Sequence, residues 1–180
     1  AGTTVYTVTG TDGLGCSNTA SVTVTLNPTP PLVGTGGDYC TGGFTTISAS
    51  GGTTYTWSPS SYLTATTGSA IIANPPSTTT YSVSTTNGYG CTSVVAVLVT
   101  VKPYPVITTS GDITLCAGST ATLSASGATT YSWYPSTGLS TTTGSSVLAS
   151  PSSTITYGVF GTTNGCSTGA TIDVTVNPVP

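Results

Sequence analysis

Hydrophobic and polar residues alternate along short runs that are separated by glycine, proline and serine–threonine clusters. In the last part of the chain the runs read VITTS, ITLC, TATLSAS, TYSWY, SSVLAS, ITYGVFGT and ATIDVTV, with a break at Gly111-Asp112 between the first two. A period of two is typical of strands that bury one face, and no segment shows the period of a helix. The pattern therefore predicts an all-β fold with about seven strands in this part of the chain.

The chain repeats itself with a period of about 75 residues. ISASGGTTYTWSP at 47–59 returns as LSASGATTYSWYP at 123–135. Residues 31–105 and 106–180 are predicted to be two full repeats. Residues 1–30 match the last two strands of a repeat, which predicts that the chain is a piece of a longer array. Each repeat is expected to form an antiparallel β-sandwich, and the sandwiches to lie end to end, because prolines stiffen the junctions. The junction prolines are Pro28, Pro30, Pro31, Pro103, Pro105, Pro178 and Pro180.

An Asn-Gly or Asp-Gly pair lies between the last two predicted strands of all three copies. Such pairs favour positive φ and suit tight hairpin turns. The predicted turn residues are Asp12, Gly13, Asn87, Gly88, Asn164 and Gly165.

Large aromatic side chains recur at matching places in the repeats. Trp57 and Trp133 lie on the third predicted strand, where a sandwich needs a large core residue. Tyr6, Tyr81 and Tyr157 open the sixth strand. These tyrosines are expected to be partly buried core residues whose hydroxyl bonds to nearby backbone, as in a tyrosine corner.

Charge is almost absent, since the chain has one Lys or Arg, four Asp or Glu and no His. Nucleic-acid and polybasic membrane contacts need a basic surface, so neither is expected. The longest apolar run, VVAVLV at 94–99, is too short to cross a bilayer, so no direct membrane insertion is expected. Catalysis needs positioned titratable groups and calcium needs grouped carboxylates. The dispersed aspartates therefore predict a protein that is not an enzyme and has no catalytic residue, cofactor or metal site.

The motifs of the last repeat resemble a known family. CAGSTATLSASG at 116–127, followed by TYSWYP, GLS, TY and NGC, looks like the Ig-like (PKD-like) tandem repeats of very large surface proteins of Bacteroidota. Those proteins include gliding-motility adhesins and cargo of the type IX secretion system. The resemblance implies Ig-like sandwiches outside the cell or on its surface. The preceding repeat departs from the pattern, because Tyr62 stands where the family has glycine.

Five cysteines in a chain without histidine indicate disulfides and an oxidising, extracellular setting. Cys116 precedes the turn into the second strand and Cys166 follows the hairpin after the sixth. These points lie at opposite ends of a typical sandwich, whereas bridged Cα atoms lie within about 7 Å. This placement favours a Cys40–Cys166 bond between repeats. The alternative pairs Cys40 with Cys91 and Cys116 with Cys166 within repeats, and both schemes leave Cys16 with a partner outside this sequence.

The expected function is structural, as a rigid extracellular stalk or filament segment of a large bacterial surface adhesin. An alternative is a self-assembling, pilus-like filament subunit, because a lone hairpin such as residues 1–30 is marginal in water and can be completed by strand donation between chains. A third hypothesis is a glycan-binding module that uses the threonine-rich faces. The expected partners are neighbouring repeats of the same or identical chains, together with surface glycans.

Overall fold

The computed structural model describes residues 2–179, which form strands, turns and loops and contain no helix. The all-β prediction is therefore confirmed. The strands are β1 (Gly2–Thr11), β2 (Ser17–Leu26), β3 (Val33–Thr35), β4 (Gly37–Cys40), β5 (Thr45–Ser50), β6 (Thr56–Ser58), β7 (Ala70–Ala73), β8 (Thr79–Thr86), β9 (Thr92–Lys102), β10 (Thr108–Thr109), β11 (Ile113–Cys116), β12 (Ala121–Ser126), β13 (Thr130–Tyr134), β14 (Ser146–Ala149), β15 (Ile155–Thr163) and β16 (Cys166–Asn177).

Strands β3–β9 and β10–β16 are arranged in the same order in two sandwiches. One sheet of each has three strands, in the orders β3-β5-β7 and β10-β12-β14, and the other has four, in the orders β4-β9-β8-β6 and β11-β16-β15-β13. Strands β1 and β2 pair with each other in a separate two-stranded sheet. The chain forms two compact units, one made of the residues up to 37 with 44–100, the other of 38–43 with the residues from 101 on.

The first strand of the β10–β16 sandwich changes sheet halfway along. β10 pairs antiparallel with β12, and β11 pairs parallel with β16. The chain crosses over at the predicted break, where Gly111 has a φ of +83°. Both sheets thus gain an edge strand from one short stretch of chain.

The core of this sandwich follows from the alternation along its strands. β15 buries Tyr157 and Val159, and β16 buries Ile172 and Val174, each of them 0% exposed. Trp133 of β13 lies in the same cluster. Each such side chain contributes about 1.5–3 kcal/mol on burial. The opposite sheet supplies the facing layer, which consists of Leu123, Ala125, Val147 and Ala149.

A loop in each sandwich covers the remaining open edge of both sheets. In residues 135–145, Leu139 forms a bridge with Ala149 of β14, and Thr143 forms a bridge with Ser132 of β13. The loop of residues 59–69 makes the same two bridges in the β3–β9 sandwich. Unpaired strand edges favour association with other chains, so these loops protect both sheets from it.

The tryptophans and two of the tyrosines hold these loops in place. Trp133 Nε1 donates to the carbonyl of Gly144 at 2.8 Å, and the Tyr157 hydroxyl donates to the carbonyl of Thr137 at 2.6 Å. Trp57 and Tyr81 make equivalent bonds in the other sandwich and are also buried. The tyrosines' acceptors lie twenty residues upstream, in the edge-covering loop, rather than a few residues away as expected for a tyrosine corner.

The family glycine that the first full repeat lacks lies in this loop. Gly138 has a φ of +72°, and Tyr62 at the matching place has a φ of +64°. Left-handed backbone costs a non-glycine residue roughly 1 kcal/mol or more, so Tyr62 keeps the loop geometry under strain.

The prediction that Tyr6 is a core residue is wrong for this structure. Its side chain is 59% exposed. The reason is that β1 and β2 form a sheet of two strands only, and no other described strand covers either face.

The three hairpin connections are of two kinds. Asn164 and Gly165 form the expected two-residue turn, with φ values of +52° and +85° between the paired residues Thr163 and Cys166. This combination of two positive φ values is the one that Asn-Gly favours.

The other two connections have five residues, so the prediction of a tight Asn-Gly or Asp-Gly turn is wrong there. In residues 87–91 the Asn87 Oδ1 accepts hydrogen bonds from the backbone N–H groups of Tyr89 and Cys91. The glycine with positive φ in this loop is Gly90 rather than Gly88. Asp12 acts in the same way for residues 12–16, and Gly15 rather than Gly13 has positive φ. A side chain that bonds the backbone two residues on stabilises such longer turns.

One core position is filled differently in the two sandwiches. Thr85 of β8 is 3% exposed, and its Oγ1 is the one buried side-chain oxygen in residues 2–179 without a hydrogen-bond partner. A Cβ on Gly52 would overlap Thr85. In the β10–β16 sandwich, Ala128 is at the position of Gly52 and Gly161 is at the position of Thr85, so the small residue is on the other strand. The threonine is therefore present for its volume rather than for its hydroxyl.

We expect Thr85→Val to leave the free energy of unfolding unchanged or to raise it by up to about 1–2 kcal/mol, because it replaces an unpaired buried hydroxyl with a methyl group of similar size. Urea denaturation measures this difference. Thr86→Val is the control, since the Thr86 hydroxyl bonds Thr92 at the surface and its loss should change stability by less than about 0.5 kcal/mol. A clear loss of stability in Thr85→Val would contradict the interpretation.

We expect Tyr157→Phe to lower the free energy of unfolding by about 1–3 kcal/mol, because it leaves the Thr137 carbonyl unpaired. Burial also raises the pKa of Tyr157. The folded state therefore holds this proton more tightly than the unfolded state does. The corresponding stability is present below pH about 10 and is lost as pH rises above it. Between neutral pH and pH about 11, the free energy of unfolding should fall less steeply with pH for Tyr157→Phe than for the parent chain. Tyr104→Phe, at an exposed tyrosine, should follow the parent chain.

Candidate functional site: a disulfide cluster in the second unit

The site consists of a disulfide between the end of β4 and the start of β16. Cys40 and Cys166 are joined with an S–S distance of 2.02 Å and a Cα–Cα distance of 5.8 Å. Both cysteines belong to the compact unit of residues 38–43 and 101 onward. The structure thus contains the bond that the strand placement favours.

The alternative pairing within repeats is incompatible with the structure. Cys116 lies beside Asn177, at one end of β16, and Cys166 is the first residue at the other end. β16 has 12 residues, so its ends are about 36 Å apart at roughly 3.3 Å per residue, far beyond the roughly 7 Å of a disulfide. Cys40 is not available to Cys91, because its sulfur is bonded to Cys166. Cys16, Cys91 and Cys116 have free thiols.

Backbone bonds around Lys102 position the disulfide. The Lys102 carbonyl accepts from the N–H of Thr41 at 2.9 Å and from its hydroxyl at 3.2 Å. The Sγ of Cys166 lies 3.9 Å from the same oxygen. A turn closed by Gly43 N–H donating to the Cys40 carbonyl at 2.9 Å follows the cysteine. The carbonyl at the end of β9 is therefore the point around which both cysteines are arranged.

Two charged side chains accompany this bond. The ammonium of Lys102 forms an ion pair with the carboxylate of Asp38. The Asp38 side chain is 56% exposed, so the pair is solvated and contributes at most about 1 kcal/mol. Tyr39, between Asp38 and Cys40, is buried, and burial raises the pKa of its phenol, which stays neutral through the physiological range. The burial of Tyr39 therefore contributes more to holding residues 38–40 in place than the solvated ion pair does.

Each of the free cysteines Cys91 and Cys116 has the same surroundings as one of the two bonded cysteines. The Cys91 Sγ lies 3.7 Å from the Asn27 carbonyl, as Cys166 does from that of Lys102. After Cys116, the N–H of Ala117 donates to the Asn177 carbonyl at 2.8 Å, as that of Thr41 does to Lys102. Cys91 is therefore equivalent to Cys166, and Cys116 to Cys40.

The sequence did not reveal the Asp38–Lys102 pair or the role of Thr41. The signal available was the single lysine of the chain, immediately before the junction proline Pro103. Main-chain acceptors such as the Lys102 carbonyl leave no mark in a sequence.

The remaining surface offers shallow grooves lined by threonine, glycine and tyrosine. The groove along Gly52–Thr56 and Thr67–Ser69 has a volume of about 620 Å³, and a similar one of about 390 Å³ runs along Thr129–Tyr131 and Thr143–Ser145. No group of three His, Cys, Asp or Glu residues that could hold a metal occurs in residues 2–179. Within the same residues, no helix is long and apolar enough to cross a membrane.

Residues 104–178 match the family described as "Ig-like domain CHU_C associated", a domain of Bacteroidota-type surface proteins. The resemblance seen in the sequence is thereby confirmed for these residues. No curated protein matches the chain.

Several solved structures have similar folds. Extracellular domains 3–5 of Drosophila OTK are 11% identical over 96% of this chain and 70% of that chain, with a TM-score of 0.54. Sidekick-1 immunoglobulin domains 1–4 are 14% identical over 96% of this chain and 58% of that chain, with a TM-score of 0.47. DIP-gamma IG1+IG2 is 13% identical over 84% of this chain and 99% of that chain, with a TM-score of 0.46. At these identities the likeness concerns the fold alone. The sheet arrangement and the match of residues 104–178 to an Ig-like domain family confirm the predicted Ig-like β-sandwich.

We expect Cys40→Ser to lower the free energy of unfolding by about 2–5 kcal/mol, because the disulfide closes a sequence separation of 126 residues. Urea denaturation of the parent chain and the variant measures the loss. Cys116→Ser is the matched control, since Cys116 is exposed and free, and its removal should change stability by less than about 0.5 kcal/mol. Equal effects of the two substitutions would mean that the bond does not stabilise the fold.

Proposed function

We propose that this chain, whose residues 104–178 match a family of bacterial surface domains, is a rigid extracellular stalk or filament segment of a large surface adhesin. Its repeats carry no chemistry of their own in this proposal. They hold a binding domain away from the cell and resist tension. The disulfide between Cys40 and Cys166 is the observation on which the proposal rests.

The bond joins two sequence repeats. Cys40 belongs to the repeat of residues 31–105, and Cys166 belongs to that of residues 106–180. Both cysteines lie in the compact unit of residues 38–43 and 101 onward, so the bond ties a segment of the preceding sequence repeat to the last one. A covalent link from one repeat to the next suits a chain that is loaded along its length.

The strand arrangement of the last repeat also suits tension. β11 and β16 run parallel, with Ile113 beside Val174 and Cys116 beside Asn177. Once the disulfide is reduced, a pull on both ends of this repeat draws the start of β11 and the end of β16 in opposite directions. The hydrogen bonds of the ladder are then sheared together rather than opened one at a time, which raises the force that the repeat withstands.

Force spectroscopy on the full chain, held at its two ends, tests the proposal. The residues between Cys40 and Cys166 are bypassed by the bond, so unfolding under oxidising conditions should release only the short terminal stretches. Reduction should add about 440 Å of extension, at roughly 3.5 Å for each of the 126 residues spanned. The Cys40→Ser variant should show the long extension without reductant.

Two results would count against a load-bearing role. One is an oxidised chain that extends as far as the reduced chain. The other concerns the reduced chain, in which β11 and β16 bear the load. Its last repeat would unfold at a force no higher than that needed to pull β15 and β16 apart, where the antiparallel ladder opens bond by bond.

A second candidate function is a self-assembling filament in which chains complete one another by strand donation. The exposed apolar side chains of the β1–β2 hairpin favour it, because Tyr6, Val22 and Val24 are all more than half exposed. This candidate requires that the isolated chain polymerise, which light scattering and electron microscopy of the purified protein would detect.

A further inference from the structure

The β1–β2 hairpin has one apolar face and one threonine-rich face. The cross-strand pairs Tyr6–Val22 and Val8–Ala20 lie on the apolar face, and Leu26 lies on the same side of β2. The opposite face carries Thr3, Thr7, Thr9, Thr19, Thr23 and Thr25. The apolar side chains are 59% exposed at Tyr6, 61% at Val22 and 71% at Leu26.

The same pairs are buried where the sandwich is complete. Tyr157 pairs with Ile172, as Tyr6 does with Val22, and both residues of the first pair are 0% exposed. Tyr81 pairs with Val97 in the other full repeat, at 0% and 2%. The hairpin therefore has the register and the side chains of the last two strands of a sandwich, without the strands that would cover them.

The edge of β2 is open where a complete sandwich has a parallel strand. In the last repeat β11 pairs with Val174–Asn177 and ends in a cysteine beside Asn177. In the hairpin, residues 24–27 match Val174–Asn177; they are the last three residues of β2 and the residue that follows it. Among the described strands, β2 pairs only with β1. A parallel strand added here would place its last residue beside Asn27.

Cys91 already lies at that point. It is partly buried, and its Sγ lies 3.7 Å from the Asn27 carbonyl. Bonds within the first unit hold it there, since the Asn87 amide donates to the Pro28 carbonyl at 2.8 Å and the Ser93 hydroxyl donates to that of Pro30 at 2.7 Å. The free thiol is thus positioned as the sulfur of Cys166 is in the formed disulfide.

We propose that the apolar face of β1–β2, the open edge of β2 and Cys91 form one docking site for a five-stranded Ig-like half-repeat. The partner has the arrangement of β10–β14: its second strand ends in a cysteine and its fourth strand carries a core tryptophan. It lays its three-stranded sheet over Tyr6 and Val22, adds its second strand to β2, and bonds its cysteine to Cys91. The two thiols lose two protons and two electrons to an oxidant such as molecular oxygen or a thiol–disulfide oxidoreductase.

A second copy of the hairpin does not meet these requirements. Two hairpins packed face to face would cover the apolar side chains but would add no strand to the edge of β2 and no cysteine at the end of such a strand. Within one hairpin, Cys16 precedes β2 and Asn27 follows it, so the two residues are about 36 Å apart at roughly 3.3 Å per residue. This inference deepens the proposed function by naming the partner at the first unit, but it does not depend on the chain bearing load.

The test is a fusion in which a copy of residues 106–151 precedes residue 1 of the full chain. This junction keeps the repeat spacing, because Tyr157 and Tyr6 are equivalent. After air oxidation, we expect non-reducing peptide mapping to find the copied Cys116 bonded to Cys91. The fusion should have one disulfide more and one free thiol fewer than the chain alone has. Amide hydrogen exchange in β1 and β2 should slow by an order of magnitude or more.

The same fusion with Cys91→Ser separates docking from bonding. It should lack the new disulfide and keep the slow exchange, since apolar burial does not need the sulfur. The proposal is overturned if the copied cysteine stays free or pairs elsewhere, or if exchange in the hairpin is as fast as in the chain alone. It is also overturned if the chain alone is a dimer with a protected hairpin, since a second copy then covers the face. None of these outcomes depends on the force measurements.

Discussion

Unpaired N–H and C=O groups at the edge of a sheet bind other chains, and proteins usually guard them with charged side chains. This chain has one lysine and four aspartates, so its edges have to be closed by its own backbone. In the β10–β16 sandwich, one edge of each sheet is made by the first strand, which divides at Gly111 and serves both sheets. The other is covered by the loop that bridges Ser132 and Ala149. The buried Trp133 and Tyr157 then have a second role, because their polar atoms bind that loop.

The alternation of residues was sufficient to predict the seven strands of a repeat, because most of them direct alternate side chains into a common core. Prediction failed where a residue's surroundings depend on distant chain. Tyr6 has the sequence context of Tyr157, but burial requires a second sheet that residues 1–30 do not contain. Asn87 and Asn164 are both followed by glycine, yet the two additional residues before Cys91 change the connection from a two-residue turn to a five-residue loop.

The candidate site was predictable to a similar extent. Strand order alone separates Cys116 from Cys166 by the length of β16, so a bond between repeats follows from topology. The contacts that position the bond could not be predicted. The central acceptor is the carbonyl of Lys102, and a carbonyl is present at every residue. Only the folded chain shows which one is placed between the two cysteines.

The disulfide also changes what a single cut in the backbone does. A protease that cleaves at any peptide bond between Cys40 and Cys166 leaves two fragments that are still joined through sulfur. This interval includes the exposed turn at Gly90, and exposed loop tips are preferred sites of proteolytic cleavage. The backbone can therefore be cut once at any point over most of its length without the chain being severed.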